Sequence, residues 1–131
     1  MASLKGKQIV LYFYPKDDTT GCTREALEFT EKADDFAAAK TVIVGVSRDD
    51  VASHDKFAAK RGLKLILGSD TDGKVTERYG VWGEKVPYGR KYMGIERATF
   101  LIDKKGKLKR IWRKVKVPGH VDQVLEEVNG D

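Results

Sequence analysis

Four short apolar runs do most to constrain the fold of this chain. They are nearly continuous rather than alternating, and they comprise residues Ile9–Tyr14, Thr41–Val46, Leu63–Leu67 and Ala98–Ile102. A strand that is apolar at consecutive positions is typically buried on both faces, as in a sheet with helices packed against it. The sequence therefore predicts an α/β fold in which helices cover a central sheet.

The segments between these runs carry helical signals. Apolar residues recur at i, i+3, i+4 and i+7 spacing after the first run, which predicts an amphipathic helix over about Cys22–Ala39. A second helix is predicted over Asp50–Arg61, with Asp49 or Asp50 as its N-cap and Gly62 as its C-terminal stop. Both helices lie between consecutive strands, as the cover of a sheet requires.

The C-terminal half adds a short helix, a hairpin and a closing helix. A helical turn is predicted near Gly73–Tyr79, and the turn sequence Asp103–Lys107 joins two strands in an antiparallel hairpin. Apolar residues at helical period predict the last helix: Val121, Val124, Leu125 and Val128. Elements in this order form a thioredoxin-like α/β fold, with a central mixed sheet flanked by helices.

Length and composition favour a single domain over residues 1–131. Of the 131 residues, 40% are hydrophobic and 34% are charged, which suffices for one buried core. The single cysteine, Cys22, excludes an internal disulfide, and the chain lacks the cysteine and histidine density of a zinc site, so neither a metal nor a cofactor is expected. No segment approaches the ~20 apolar residues that span a bilayer, and no signal-peptide core is present. We therefore expect a cytoplasmic protein without a membrane partner.

The net charge of +5 is unevenly distributed along the chain. Eight basic residues and no acidic residue lie within Lys104–Lys116, a pattern that also occurs in nucleic-acid-binding faces. Apolar residues interleave with these basic residues, and charge runs are usually solvated faces. An edge strand with basic outward side chains is thus favoured, and no nucleic-acid partner is predicted.

The segment around Cys22 carries the strongest chemical signal. A buried strand ends at Pro15, a polar loop follows, and Cys22 opens a helix. The free amide groups and positive dipole of a helix N-terminus favour an anion, so they stabilise a thiolate over a thiol. The alternative is a buried structural cysteine, because Cys22 shares a helical face with Ala26 and Phe29. Its position beside Pro15 and Thr19 favours the nucleophile.

This segment resembles the P-x-x-x-T-x-x-C active-site loop of peroxiredoxins, with Pro15, Thr19 and Cys22 at the motif positions. The resemblance is to the bacterioferritin comigratory protein, or Q-type, branch. It continues in order through segments that cover nearly the whole chain: Val44–Ser47, Ser69–Lys74, Tyr79–Lys85, Tyr92–Asp103 and Gly119–His120. It implies a thioredoxin-like fold and a thiol-dependent peroxidase that reduces hydrogen peroxide or small organic hydroperoxides.

The resemblance also implies roles for the loop residues. The Thr19 hydroxyl would accept a hydrogen bond from the peroxide and contact the sulfur; the alternative is a threonine that caps the helix. Pro15 would shield the thiolate from water, or serve only as a turn proline. Backbone amides near Gly21 and Cys22 would complete the anion site.

The cation of the site is expected to be Arg97, again by resemblance. A buried arginine must be paired, and a thiolate would pair it. The alternative is Arg24, which helical geometry places on the solvated face. Glu25 would either orient the arginine or complement the helix dipole.

One departure from the family pattern concerns Leu27. Many Q-type relatives have a resolving cysteine five residues after the nucleophile, where this chain has leucine. We therefore expect a 1-Cys mechanism in which an external thiol (thioredoxin, glutaredoxin or a low-molecular-weight thiol) reduces the oxidised cysteine. Members of this branch usually carry a strand hairpin before residue 4, and by resemblance we expect this domain to lack it. A monomer or weak dimer is also expected.

Two other functional classes remain open at this point. One is a catalytically impaired thioredoxin-fold binding module. The other is a basic nucleic-acid-binding or chaperone-like interaction protein that uses the residues of Lys104–Lys116. Asp70–Gly73 is interpreted as a turn with a helix cap rather than a calcium loop. His54 and His120 are predicted to be polar surface residues. The aromatic segments Tyr79–Trp82 and Tyr88–Met93 would wall a substrate pocket or pack in the core.

Overall fold

The computed structural model of the chain describes residues 6–85 and 92–130. It contains the following helices and strands in chain order: β1 (Gln8–Phe13), α1 (Thr20–Glu31), α2 (Ala33–Ala38), β2 (Thr41–Ser47), α3 (Val51–Arg61), β3 (Ile66–Ser69), α4 (Lys74–Arg78), β4 (Trp82–Lys85), β5 (Tyr92–Ile95), β6 (Ala98–Ile102), β7 (Leu108–Trp112) and α5 (His120–Asn129).

The main sheet has five strands in the order β3-β2-β1-β6-β7. The pairs β1–β2 and β2–β3 are parallel, whereas β1–β6 and β6–β7 are antiparallel. All six residues of β1, the central strand, are buried. This mixed sheet confirms the predicted thioredoxin-like fold and the hairpin at Asp103–Lys107.

The side chains of β1 divide the core into two layers. Val10, Tyr12 and Tyr14 pack with buried residues of α1, α2, α3 and α5, and Cys22 belongs to this layer. Ile9, Leu11 and Phe13 face the opposite side, where they pack with residues that include Val81 and Ile95. The alternation of side chains along a strand produces this division.

A two-stranded antiparallel sheet of β4 and β5 covers the second layer. The sequence did not predict it, because neither strand has a clear alternation of apolar and polar residues. Tyr79 packs on Phe13 and Phe100, with ring centroids 5.2 Å and 5.0 Å away, so this aromatic residue is part of the core. Residues 88–91 of the second aromatic segment lie outside the described residues.

The helix that carries Cys22 differs from its predicted bounds. It begins at Thr20, so Cys22 is its third residue rather than its first. It also ends at Glu31, since the backbone departs from helical geometry at Lys32 before α2 begins. The bend brings Phe36 of α2 into the same core as Phe29, with ring centroids 5.8 Å apart.

The third strand also lies later than predicted, over residues 66–69 rather than 63–67. Helix α3 ends at Gly62, which has a left-handed conformation (φ 61°), as predicted. Leu63 and Leu65 then pack against the core outside the sheet, and pairing with β2 begins only at Ile66. Because β3 is an edge strand, Ile66 is 50% exposed. The prediction that both faces of this strand are buried was therefore wrong.

The prediction that both histidines lie on the surface was wrong. His54 and His120 are only 4% and 3% exposed. His54 faces the core one helical turn before Phe57, and its ring nitrogens have polar partners there. His120 begins α5, and its Nε2 lies 2.8 Å from the Thr99 hydroxyl. Buried hydrogen-bond partners from distant segments explain why burial is tolerated.

Two basic residues from Lys104–Lys116 bind the ends of helices. The Lys109 ammonium donates to the carbonyl oxygens of Glu127 and Gly130, 3.1 Å and 2.8 Å away, at the end of α5. The Arg113 guanidinium donates to the Gly80 carbonyl, 3.3 Å away, just after α4. Carbonyl groups at the C-terminal ends of helices lack donor partners from the helix itself. Lys109 and Arg113 therefore stabilise the ends of α5 and α4.

Within residues 6–85 and 92–130, no helix is both long and apolar enough to cross a membrane.

Candidate active site

Cys22 lies in the first turn of α1, at the end of the loop that follows β1. Here residues 15–19, which join β1 to α1, are called the active-site loop. The first helical hydrogen bond runs from the Thr23 amide to the Thr19 carbonyl, at 2.8 Å. The preceding amides, including those of Gly21 and Cys22, therefore have no acceptor within the helix and favour a nearby anion. The Cys22 side chain is 1% exposed, so its sulfur faces the protein interior.

Arg97 brings a positive charge to the sulfur. Its Nη2 lies 3.3 Å from Cys22 Sγ, and its Nη1 lies 2.6 Å from Glu25 Oε1. Arg97 immediately precedes β6, which pairs with β1, and its carbonyl accepts a hydrogen bond from the Val115 amide at 2.9 Å. The sheet thus joins a cation and a thiol that are 75 residues apart in sequence.

Arg24, the alternative cation, points away from this site. It is exposed, and its Nε lies 3.2 Å from Glu28 Oε1 on the outer face of α1. Exposed pairs of this kind contribute little to stability. Of the two arginines that the sequence proposed, the structure places only Arg97 beside the sulfur.

Gly21 leaves space for the arginine. A Cβ atom at Gly21 would lie 3.1 Å from Arg97 Nη2, closer than ordinary van der Waals contact. The sequence associated Gly21 only with a backbone amide. The close approach of a side chain from another strand adds a steric reason for glycine at this position, and no local signal reveals it.

Glu25 is a buried acid that shares Arg97 with the thiol. Its side chain is fully buried, and its Oε2 makes no hydrogen bond to the described residues. Burial raises the pKa of Glu25 to about 7, and the nearby Arg97 charge only partly opposes that rise. The carboxyl therefore exchanges its proton near neutral pH.

The pKa of Arg97 is shifted in the opposite sense to that expected from burial. Burial alone would lower it, but the adjacent Glu25 and Cys22 outweigh that effect and raise the pKa above its usual value. Arg97 therefore remains a cation throughout the physiological range. The Arg97 guanidinium is thus the shared cationic partner of Glu25 and Cys22.

Thr19 and Pro15 lie on the solvent side of the sulfur. Thr19 occupies the N-cap position, but its side chain makes no capping hydrogen bond, so the helix-cap alternative was wrong. Its hydroxyl instead donates to the Lys16 carbonyl at 2.9 Å, and the residue is exposed. The hydroxyl oxygen retains its lone pairs for another donor. Pro15 is half-buried at the start of the loop.

The sequence did not identify two buried polar residues that meet at this loop: Asp17 within it and His54 of α3. Asp17 is 7% exposed, and its carboxylate lies 2.7 Å from His54 Nδ1. A polar loop residue and a lone helical histidine give no local sign of burial, since the contact joins residues 37 positions apart. The only sign in the sequence is the position of Asp17 inside the motif.

A thiol held at a helix N-terminus beside a partly buried arginine, on a thioredoxin-like fold, defines a class of thiol-dependent peroxidases. Comparison with known proteins agrees with this class. Residues 1–111 match the model of the AhpC/TSA family.

Relatives of known type match almost the whole chain. A putative peroxiredoxin bcp of Coxiella burnetii is 50% identical over 122 residues, which cover 93% of this chain and 81% of that protein. Peroxiredoxin Bcp of Bacillus subtilis is 50% identical over 126 residues, covering 96% and 80%. A solved structure of the Xanthomonas campestris bacterioferritin comigratory protein superposes with a TM-score of 0.91 at 46% identity, covering 97% of this chain and 81% of that one. The chain therefore belongs to the AhpC/TSA family and is a Bcp-type peroxiredoxin, a thiol peroxidase.

Proposed function

We propose that this protein reduces hydrogen peroxide and small organic hydroperoxides by a 1-Cys mechanism, with Cys22 as the nucleophile and an external thiol as the reductant. The observation that carries the proposal is the distance of 3.3 Å between Arg97 Nη2 and Cys22 Sγ at the N-terminus of a helix. Arginine and helix amides both stabilise a thiolate, which is the reactive form of cysteine.

In the first step, the Cys22 thiolate attacks the terminal oxygen of the hydroperoxide. An S–O bond forms and the O–O bond breaks, so Cys22 becomes a sulfenic acid. The remaining oxygen leaves as an alkoxide or hydroxide and takes up a proton, which yields an alcohol or water. Arg97 and the amides of the first helical turn stabilise the negative charge that moves along the O–O axis.

Two loop residues complete this step. The Thr19 hydroxyl donates to the Lys16 carbonyl, so its oxygen is oriented to accept the hydrogen of the hydroperoxide. Pro15 limits the access of bulk water to the sulfur. Glu25 holds Arg97 in place through the 2.6 Å contact with Nη1.

In the second step, an external thiol reduces the sulfenic acid. The thiol forms a mixed disulfide with Cys22 and releases water, and a second thiol regenerates Cys22 by disulfide exchange. An external reductant is required because Cys22 is the only cysteine in the sequence. Thioredoxin, glutaredoxin and low-molecular-weight thiols all have suitable chemistry, and a cytoplasmic location would supply them.

The burial of Cys22 sets a condition on the second step. At 1% exposure, its sulfur is not accessible to a second sulfur in this conformation. A disulfide requires the two sulfurs to lie about 2 Å apart, so the first turn of α1 must open before the reductant can react.

The choice of substrate class rests on a relative. The Xanthomonas campestris bacterioferritin comigratory protein is described with alkyl peroxide reduction activity. Since this chain shares its fold, small organic hydroperoxides are the natural substrates to test beside hydrogen peroxide.

The decisive experiment measures the oxidation of Cys22. Stopped-flow mixing with hydrogen peroxide or an alkyl hydroperoxide should show rapid loss of the thiol, and intact mass spectrometry with dimedone should trap one sulfenic acid. Cys22→Ser should abolish both signals. Peroxide consumption by Cys22→Ser would refute the mechanism, whereas slow oxidation of wild-type Cys22 would instead indicate the impaired binding module.

A second variant tests the absence of a resolving thiol. Leu27→Cys should form an internal disulfide after one equivalent of peroxide, provided that the first helical turn opens. On an intact helix, side chains five residues apart diverge by about 140°, and here Leu27 is 40% exposed while Cys22 is buried. Mass spectrometry before and after thiol reduction would detect the disulfide. A variant in which Cys22 oxidises without forming it would show that this turn stays closed.

A further inference from the structure

A second group of polar side chains, three of them buried and Ser53 half-buried, lies on the other flank of the active-site loop. It consists of Tyr14, Asp17, Ser53 and His54, which we call the loop network. Tyr14, Asp17 and His54 are 1%, 7% and 4% exposed. None of these four residues hydrogen-bonds to the sulfur, so the peroxidase mechanism as described does not use them.

The Asp17 carboxylate accepts hydrogen bonds from three side chains. The Tyr14 hydroxyl donates to Oδ1 at 2.5 Å, and the Ser53 hydroxyl donates to Oδ2 at 2.8 Å. His54 Nδ1 lies 2.7 Å from the same Oδ2. Imidazole is a stronger base than carboxylate, so the proton between Asp17 and His54 belongs to the ring and the carboxylate is ionised.

The partners of the His54 ring indicate its protonation state. Its Nε2 lies 3.0 Å from the carbonyl oxygen of Gly68, which has no proton to give, so Nε2 carries one. Its Nδ1 faces the ionised Asp17 and therefore also carries a proton. Among the described residues, Tyr14 is the other titratable group within hydrogen-bond distance of the ring, and it directs its hydroxyl to Asp17. The ring is thus an imidazolium, and its charge balances that of Asp17.

The backbone of the loop is fixed at the same residue. The Asp17 amide donates to Asp49 Oδ2 at 2.7 Å, and the Ser47 hydroxyl donates to that oxygen at 2.7 Å. Asp17 is therefore held by its side chain and its main chain at once. It stands two residues from both Pro15 and Thr19, so its position sets the geometry of the loop around the sulfur.

We propose that the buried Asp17–His54 ion pair is a positioning device for the active-site loop, in which both ring nitrogens of His54 donate hydrogen bonds. The proposal rests on the proposed function, because the loop that it positions is the one that receives the hydroperoxide. Removing one member of a buried ion pair leaves the other charge unpaired in a low dielectric. The loop would then shift to bring water or another group to that charge.

The protonation state is tested by NMR spectroscopy independently of activity. In ¹⁵N-labelled protein at neutral pH, the two ring nitrogens of His54 should both show the chemical shift of protonated nitrogen. His120 is the internal reference, since burial lowers its pKa to about 4 and its ring is therefore neutral. The spectrum of His54→Gln assigns the signals. A neutral tautomer at His54 would overturn the proposal even if the enzyme is fully active.

The positioning role is tested by two matched variants in the same loop. Asp17→Asn removes the buried charge, whereas Asp18→Asn removes an exposed one that pairs with Lys60 and Arg61 of α3. Asparagine also tolerates the left-handed conformation of Asp18 (φ 60°). Asp17→Asn should slow peroxide oxidation of Cys22 by about tenfold or more, as small misplacements near a reacting atom do, while Asp18→Asn should stay within about twofold.

Alkylation of Cys22 separates positioning from loss of structure. Because Cys22 is 1% exposed, general loosening would speed its reaction with iodoacetamide. Positioning predicts a slower peroxide reaction with an alkylation rate within about twofold of wild type. Alkylation of Asp17→Asn that is faster than that of wild type by more than about twofold would contradict the proposal. Equal rates of peroxide oxidation in Asp17→Asn and Asp18→Asn would also contradict it.

A double variant tests whether the two residues act as a pair. His54→Gln should also slow peroxide oxidation by about tenfold, and combining it with Asp17→Asn should add less than about a further threefold, because coupled residues are not additive. Fully multiplicative losses of the peroxide oxidation rate would show that Asp17 and His54 act separately. They would contradict the proposal that the two residues act as a pair.

Discussion

The two flanks of the active-site loop differ in the balance between their acidic groups and their cations. On one flank, the single cation Arg97 lies between two acidic groups, Cys22 and Glu25, and one oxygen of Glu25 has no partner among the described residues. On the other flank, His54 and Asp17 form one cation and one anion, and each carboxylate oxygen of Asp17 receives a donor. The first flank has more acidic groups than it can neutralise, whereas the second is balanced.

This difference matches what each flank has to do. A site that forms and loses a thiolate must change its charge during each cycle, and a buried group with an incomplete set of partners is the kind whose protonation changes readily. A site that only holds a loop has no such need. Its groups are fully hydrogen-bonded, as buried polar groups generally are.

The largest effect is expected from removing the cation of the first flank. Arg97→Met should slow the oxidation of Cys22 by about 10²-fold or more, as the loss of one oxyanion donor does. It should also destabilise the fold, because Glu25 loses its buried partner and must take up a proton to remain in the interior. Stopped-flow and urea unfolding measure the two effects. Arg24→Met is the matched control. Equal losses of the oxidation rate in both variants would show that Arg97 has no special role in stabilising the reacting sulfur.

Removing the second acid of this flank should change how stability depends on pH. The folded chain holds the Glu25 proton up to about pH 7, against an ordinary pKa of 4.5. The stabilisation from Glu25 is thus fully present below pH 4.5 and is lost as the pH rises to about 7. Glu25→Gln cannot titrate, so its unfolding free energy relative to wild type should rise by about 3 kcal/mol across this window.

Urea unfolding of wild type and Glu25→Gln, performed in parallel at several pH values, measures this difference. All other titrating groups are common to both proteins and cancel to first order. A constant difference from pH 4.5 to 7 would mean that Glu25 stays ionised beside Arg97.

A smaller effect is expected at Gly21. A methyl group there would lie 3.1 Å from Arg97 Nη2, so Gly21→Ala should displace the guanidinium by a few tenths of an ångström. We expect peroxide oxidation of Cys22 to slow by about tenfold, because the geometry of a charged donor is critical to its effect. Gly83→Ala, where an added Cβ meets nothing within 4 Å, is the control for glycine replacement. A wild-type rate in Gly21→Ala would show that Arg97 has room to adjust.

The smallest effect is expected on the balanced flank. Ser53→Ala removes one of the hydrogen bonds to Asp17 but leaves its ion pair with His54 intact. The unfolding free energy should fall by about 1 kcal/mol, the usual contribution of one hydrogen bond. Urea unfolding measures the loss. A decrease as large as that in Asp17→Asn would mean that the hydroxyl, rather than the charge pair, holds the carboxylate.

Local sequence patterns predicted the parts of the fold that depend on local structure. The apolar run of β1, the cap at Asp50 and the stop at Gly62 are all present, because each acts within a few residues. The carboxylate of Asp70 likewise accepts from the amides of Val75 and Thr76, as expected of a helix cap. Signals that act within one helix, strand or turn are therefore sufficient to predict these features.

Features that depend on distant partners were not predictable in the same way. The position of Arg97 came from resemblance, since nothing in its own segment indicates a partner at Cys22. The burial of His54 was missed because a polar residue on a helix is normally solvated, and its acceptors lie on the active-site loop and on β3. The hairpin of β4 and β5 was missed for lack of alternation.

The long sequence separation of Arg97 and Cys22 has a consequence for the synthesis of the protein. A growing chain exposes Cys22 well before the ribosome has added Arg97, which lies 75 residues later, and Val115, whose amide holds the Arg97 carbonyl. Until the antiparallel pairing of β6 with β1 is complete, Cys22 lacks its cation and behaves as an ordinary thiol. The Arg97-assisted reaction with peroxide therefore requires the completed sheet, so Cys22 of a nascent or unfolded chain should be oxidised more slowly than Cys22 of the folded enzyme.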